Sequence, residues 1–345
     1  MDVTSDTSVH EAVEQVIEEA GRLDVVVANA GIGCFVSGCT PTPWVGVYAA
    51  TKAAARAITE TLQMEAKALS PDIRVMLVIT GGVRSNVINS TKFAPPPTSL
   101  YTQYLSRILA RIQLSQAGPS MPTVEYVRGV STTTSGQMTA TPSSPVVLVT
   151  GSSRGGIGYS LCEAFAAKGC IVYASARRLE TISSFSNSDI RQLIMDVTSD
   201  SSVHKAVEQI VEEVGRVDIV VANAGIPCHG PVLDIPIDYA KQAVDTNVLG
   251  VLRLAQAVFP YMASRKRGTF ITIGSVGGPT PTPWAGVYAA TKAAAHAITE
   301  TLQMEAKALS PDIRVMLVLT GGVKYALPFS PSFLSRKYAP LSSLL

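Results

Sequence analysis

VVLVTGSSRGGIGYSLCEAFAAKGCIVYASARRLE, residues 146–180, reads as strand, glycine-rich turn, helix and strand in succession. The first run is short and β-branched, and Thr150-Gly151-Ser152-Ser153-Arg154-Gly155-Gly156-Ile157-Gly158 then breaks it. Glycines at such a turn allow a tight bend and close backbone approach, so a pyrophosphate can sit on the free N–H groups of the following helix. Alone, the same turn is also an ordinary strand-to-helix loop. Downstream, RQLIMDV, VDIVVANAG, GTFITIG and IRVMLVL are further Val/Ile-rich runs, separated by amphipathic segments such as SVHKAVEQIVEEVG. Alternation of this kind predicts an α/β fold with a doubly wound parallel sheet.

Upstream, parts of this pattern occur a first time. Residues 1–32 match 195–226 at an offset of 194 with seven differences, and residues 41–83 match 281–323 at an offset of 240 with three, Val45/Ala285, Arg56/His296 and Ile79/Leu319. The first copy therefore lacks 46 residues that the second one has, and nothing like residues 146–180 precedes it. It keeps two strand-like runs, around Val25 to Ala28 and Arg74 to Ile79, too few for a buried parallel sheet. Residues 94–145, rich in Pro, Ser and Thr, read as a linker with one helix marked by Leu100, Tyr104, Ile108 and Ile112. The expected organisation is a truncated repeat over 1–93, a linker over 94–145 and a nucleotide-binding domain over 146–345. Copy 1 is expected not to fold alone, and to contribute, if at all, through the lid-like stretch Arg84 to Gln113.

Composition narrows the function classes. The 345 residues are 47% hydrophobic and 16% charged, with 28 basic and 26 acidic side chains interspersed, which excludes a basic face for nucleic acid. The five cysteines form no CxxC pair and the four histidines have no metal-ligand spacing, so a reduced, metal-free, cytoplasmic protein is expected. The opening MDVTSDTSVHEAVEQ has neither a basic nor an apolar run, and no stretch reaches the ~18 apolar residues of a transmembrane helix, so neither a leader nor a span is expected.

At the end of the second strand stands Ala176-Arg177-Arg178, where an acid would receive ribose hydroxyls. Guanidinium groups there suit a 2′-phosphate, favouring NADP over NAD. Arg177 is nearer the strand, and Arg178 also reads as a solvated loop charge. Further on come Asp196-Val197, Asn223-Ala224-Gly225, Asn247, Ser275 and Tyr288 four residues before Lys292. Taken singly these read as turn, cap and helix-surface residues.

As an ordered set, with Ser275 thirteen positions before Tyr288, they resemble the short-chain dehydrogenase/reductase family. The resemblance runs from about Val146 to Val323. Within the family the glycine loop, "ARRLE" and "TGGV" at Thr320 to Val323 are similar to fungal NADPH-dependent 1-acyldihydroxyacetone-phosphate reductases. It implies an oxidoreductase interconverting a carbonyl and an alcohol. Asn247, Ser275, Tyr288 and Lys292 would be catalytic. NADP(H) would be held by Gly151, Ser153, Arg154, Gly156, Ile157, Gly158, Arg177, Asp196, Val197, Asn223, Ala224, Gly225, Tyr288, Lys292, Gly322 and Val323. It also implies a small-molecule or lipid-like carbonyl substrate, a role in lipid metabolism, association with endoplasmic reticulum or lipid droplets, and a homodimer or homotetramer.

The chemistry fits these residue types. Carbonyl reduction needs a positioned proton donor. A tyrosine titrates near ~10, and a neighbouring ammonium favours its phenolate. Ser275 would hydrogen-bond the reacting oxygen, and Asn247 would help hold a proton-relaying water near Lys292. Tyr48 and Lys52 repeat the pair in copy 1, but there the counterpart of Asn247 is missing and Phe35 stands in the register of Ser275. After Val323 the tail is short for a substrate lid. Two other classes stay open: a nucleotide-binding or interaction protein without catalysis, and the joined remnant of two neighbouring genes.

Overall fold

A computed structural model of the chain describes residues 2–20, 23, 26, 46–70, 73, 75, 77 and 144–320 except 183, 184, 186, 188 and 281. Most of the expected strands of copy 1 (all but Val26, Val75 and Leu77) and of the linker 94–145 with its helix, together with Phe35, the stretch Arg84 to Gln113, Gly322, Val323 and the tail, lie outside the described residues. The chain divides into two units, Met1–Cys34 with Ser85–Ala94, and Phe35–Arg84 with Pro95–Leu345.

The larger unit is built on a six-stranded, all-parallel sheet. Its strands are β1 (Val146–Thr150), β2 (Ile171–Ala176), β3 (Ile190–Ile194), β4 (Ile219–Ala222), β5 (Gly268–Ile273) and β6 (Ile313–Val318), in the order β3-β2-β1-β4-β5-β6. The connection reverses direction between β1 and β4, which opens a crevice at their carboxyl ends. The doubly wound parallel sheet expected from the alternating pattern is present.

α1 (Asp6–Ala20) and α2 (Gly46–Leu69) precede the sheet; α3 (Ile157–Ala166), α4 (Asp200–Val214), α5 (Ile237–Val244), α6 (Gly250–Ser264) and α7 (Gly286–Leu309) are interleaved with its strands. On one face Leu148, Val220 and Phe270 pack against Val203 and Ile210 of α4, Leu254 and Met262 of α6, and Ala306 of α7. On the other, Val147, Val149 and Val172 pack against Cys162 and Ala166 of α3. Strands covered on both sides need the near-continuous apolar runs seen in the sequence. Between α5 and α6 the helix widens into a π turn, Asp245–Leu249, centred on the buried Asn247. Such turns redirect one side chain without ending the helix. Among the described residues no helix is long and apolar enough to cross a membrane.

The repeated sequences give helices with matching bounds, α1 with α4 and α2 with α7. In the smaller unit, Asp2 accepts from the Thr4 N–H and hydroxyl at 2.9 and 2.7 Å, as Asp196 accepts from Thr198 ahead of α4 at 2.9 and 2.8 Å. Burial differs: Val207 and Ile210 of α4 are 1% and 0% exposed, whereas their counterparts Val13 and Val16 are 37% and 41% exposed. An amphipathic pattern buries its stripe only where another element covers it.

α2 packs against α7 within the larger unit. Ala50 meets Ala294 and Ile298, while Ala57, Ala54 and Ile58 meet Ala289 and Ala290. A side chain at Gly46 would come 3.0 Å from Thr301, and one at Gly286 would come within 2.9 Å of Thr61. Positions 240 apart exchange roles, as they do across a two-fold interface. The copy-1 contact among the described residues thus comes through α2.

Asp218 pins the opposite end of the sheet. It accepts from the Val146 N–H at 2.9 Å and from Arg216 Nε at 2.9 Å, and it pairs with Arg265. Burial alone would raise its pKa, but these donors hold it below the usual carboxylate value. A lowered folded-state pKa adds stability that is complete above about pH 4 and disappears as the pH falls through that lowered value. Asp218→Ala is expected to cost about 2 kcal/mol at pH 7, and urea melts repeated towards pH 3 should show the gap to wild type closing.

Candidate active site

The crevice forms where the ends of β1 and β4 are tied together. The Thr150 hydroxyl accepts from the Asn223 and Ala224 N–H groups at 3.0 and 3.1 Å. Asn223 Nδ2 donates back to the Thr150 and Gly151 carbonyls at 2.9 and 3.0 Å. A Cβ on Gly158 would lie 2.5 Å from the Gly151 oxygen and 2.6 Å from Asn223 Nδ2, so α3 can approach this knot only with glycine there. Gly151 needs φ +68°, and a Cβ on it would come 2.7 Å from Ala224 Cα. Asn223, Ala224 and Gly225 are thereby brought against the glycine loop.

The loop leaves the start of α3 bare. Gly156 is its N-cap and gives no side-chain hydrogen bond, so the first turn presents backbone N–H groups without a competing acceptor from that position. Ser152 is buried, donating its N–H to Ser175 O at 2.9 Å and its hydroxyl to Val149 O at 3.0 Å. Ser153, Arg154 and Gly155 are exposed, and Arg154 N–H is anchored on Thr181 O at 2.8 Å. Arg177 and Arg178 are exposed at the end of β2, beside this loop.

Asp196 and Val197 follow β3. Asp196 spends its carboxylate on Thr198, and Val197 is buried against Gly250, where a Cβ would lie 3.0 Å from it. Asn247 is 2% exposed. Its Nδ2 donates to Ile226 O and Thr291 Oγ1 at 2.9 and 3.0 Å, and its Oδ1 accepts from Ile226 N–H at 2.8 Å. The asparagine side chain therefore couples the loop after Gly225 to α7.

Tyr288 and Lys292 share one face of α7, with Lys292 Nζ 5.9 Å from the tyrosine ring centroid. Lys292 is buried and donates to Ile273 O at 3.0 Å. Desolvation brings its pKa down to about 8. A side chain on Gly225 would stand 3.2 Å from Asn247 Oδ1 and 3.7 Å from Lys292 Nζ, so the Asn223-Ala224-Gly225 segment and the Tyr/Lys helix meet here. Ser275 follows β5. Its hydroxyl accepts from Gly277 N–H at 3.1 Å, and a Cβ on Gly277 would lie 3.4 Å from that hydroxyl and 4.0 Å from Tyr288 Cε1. In copy 1, Lys52 Nζ stands 5.5 Å from the Tyr48 ring, but Lys52 is exposed.

Two histidines not singled out by the motifs join the site. His296 Nε2 accepts from Ser275 N–H at 3.1 Å, and Gly274 and Gly278 pack so closely that a Cβ on either would overlap its ring. Burial, with the Lys292 charge adding to it, pushes His296 down to about 4, so the neutral ring is the acceptor. The one available signal is the repeat itself, in which His296 replaces Arg56, a residue paired with Glu60 at 2.6 Å. His229 stacks on Tyr288, ring centroids 5.2 Å apart, and desolvation lowers its pKa.

The sequence model described as short chain dehydrogenase matches residues 34–94 and 145–328. Among curated relatives, the short-chain dehydrogenase cctT of Talaromyces islandicus is 37% identical over 180 residues, 52% of this chain and 62% of the relative. The NADPH-dependent 1-acyldihydroxyacetone phosphate reductase of Schizosaccharomyces pombe is 35% identical over 188 residues, 54% of this chain and 62% of the relative. A short-chain dehydrogenase from Streptomyces avermitilis has a solved structure that aligns with TM-score 0.51 and 30% identity, covering 54% of this chain and 68% of that one. The chain spans less than two thirds of the length of the first curated relatives it matches.

The burial of Lys292 sets a pH dependence. Between about pH 8 and the ordinary lysine value of about 10.4, the unfolded chain holds a proton at this position that the folded chain has released. Its contribution to stability therefore rises with pH across that window. Denaturant melts of wild type and Lys292→Met at pH 7.5 and 9.5 should show wild type gaining on the variant at the higher pH. A constant difference would contradict the burial.

Proposed function

We propose that this chain, which belongs to the short-chain dehydrogenase family, is an NADP(H)-dependent oxidoreductase that interconverts a carbonyl and an alcohol. The observation that carries the reading is the convergence of the glycine loop, Gly225, Asn247 and the buried Lys292 on one crevice. The residues fit a dinucleotide. Gly151, Gly156 and Gly158 allow backbone approach, Ser153, Arg154 and Ile157 complete the turn, and the bare start of α3 suits a pyrophosphate. Arg177 stands where a 2′-phosphate would be received, and no acid competes with it in Ala176-Arg177-Arg178. Asn223 and Ala224 would border the adenine ribose, with Asp196 and Val197 shaping the wall behind it.

Bound there, the nicotinamide would supply or accept the hydride. Tyr288 donates a proton to the carbonyl oxygen or takes it from the alcohol, and the Lys292 charge stabilises its phenolate. Ser275 hydrogen-bonds the same oxygen, with its backbone held by His296. Asn247 keeps Ile226 and α7 in register. Gly322 and Val323 would complete the cofactor site.

On this reading residues 146–345 are the NADP-binding domain, 94–145 a linker and 1–93 a partial repeat whose Tyr48 and Lys52 do no chemistry. The name of the Schizosaccharomyces pombe relative supports a lipid-like ketone as the substrate class, a place in lipid metabolism and NADPH as the donor.

Fluorescence titration of the full chain should give tighter binding of NADPH than of NADH, and Arg177→Ala should erase the preference. Equal affinities in wild type would contradict the cofactor reading. With an active ketone, Tyr288→Phe should lower turnover by about 100-fold or more while NADPH still binds, and Tyr48→Phe should leave turnover unchanged.

A further inference from the structure

Glu65 belongs to the first repeat, yet its carboxylate reaches the loops beside Tyr288. Oε2 accepts the Val232 N–H at 2.8 Å and Oε1 accepts the Trp284 N–H at 3.0 Å. A third bond, Gly230 N–H to Trp284 O at 2.7 Å, closes the two loops on each other. Trp284 has φ +63°, a left-handed backbone that a bulky residue rarely adopts. A strained residue persists only where its surroundings hold it. Here the holding group is a side chain from another helix.

Both loops bear on the tyrosine. Trp284 is followed by Ala285, the N-cap of α7, which itself supplies no side-chain cap, and Tyr288 sits in the first turn. The other loop carries His229, stacked on the Tyr288 ring, and Cys228, 1% exposed. Cys228 packs with Ile235, Ala243 and Val287, and Tyr288 lies against this cluster. The carboxylate is buried far enough that desolvation raises its pKa, so its two N–H donors and its place in the α2–α7 packing are what keep it there.

We propose that Glu65 is a positioning residue for Tyr288, supplied by the partial repeat: α2 covers α7 and its carboxylate clamps residues 230–232 to residue 284, fixing the entry of α7 and the wall formed by Cys228 and His229. The inference rests on the reading of Tyr288 as the proton donor. It gives the partial repeat a task in the site of the complete one, in place of an independent activity.

The test uses the full-length, cofactor-free chain and a soluble alkylating reagent, with each cysteine followed by mass spectrometry. Cys228 reports on the clamped loop; the buried Cys162 and Cys170 report on the body of the fold. Glu65→Ala should speed alkylation of Cys228 by about tenfold or more, leaving Cys162 and Cys170 protected. Glu60→Gln, on the same helix, should change none of the three. With an active ketone, Glu65→Ala should lower kcat by about tenfold while the NADPH Kd stays within about twofold.

Unchanged protection of Cys228, or acceleration of all three thiols together, would overturn the clamp. Faster labelling of Cys228 with kcat intact would overturn its role in positioning. A wild-type chain that turns over no ketone overturns the functional reading alone, because the thiol labelling judges the clamp without turnover.

Discussion

The knot between Thr150 and Asn223 is the constraint on which the rest of the site depends. Two side chains, exchanging four hydrogen bonds with backbone groups across the ends of β1 and β4, hold open the crevice created by the change of direction in the sheet. Polar groups at such depth are expensive unless satisfied, so their mutual satisfaction fixes one arrangement of the two loops. Gly158 then seats α3 on the knot, and Gly225 carries the same backbone on to Asn247 and Lys292. The glycine loop and α7 are set by one short stretch of backbone.

Burial distinguishes two nearly identical helices. α2 and α7 have the same 24 residues except at one position, Arg56 against His296. Both set a lysine above a tyrosine, but only in α7 is the lysine enclosed and bonded to the Ile273 carbonyl. The chemistry of the pair is therefore a property of the sheet behind it, through the desolvation that moves Lys292. The Arg-to-His change fits the same picture: a neutral ring is tolerated beneath Gly274 and Gly278, where a guanidinium would have to bury its charge.

Most of the sheet was legible in the sequence, because strands buried on both faces must be apolar throughout, and the glycine turn marks where the first one ends. The ordering of Asn247, Ser275, Tyr288 and Lys292 was legible as spacing. What each side chain touches was not. Nothing in the letters around Asn247 says that its amide is spent on Ile226, or that Asp196 spends its carboxylate on Thr198. Glu65 was hidden for the same reason, since a glutamate on an amphipathic helix reads as solvated until the covering partner is known. Periodicity names a face without naming what it meets. The family match is likewise split, 34–94 and 145–328, on either side of the segment that joins the two repeats.

The central claim is that the crevice between β1 and β4 receives NADP(H) and that α7 answers to it. Hydrogen–deuterium exchange of the full chain with and without NADPH tests this without a substrate. The account predicts slower exchange on binding in residues 150–158, 222–226 and the first turns of α7, with α1 unchanged. Absence of protection at residues 150–158 under saturating NADPH, or protection confined to α1 and α2, would contradict it.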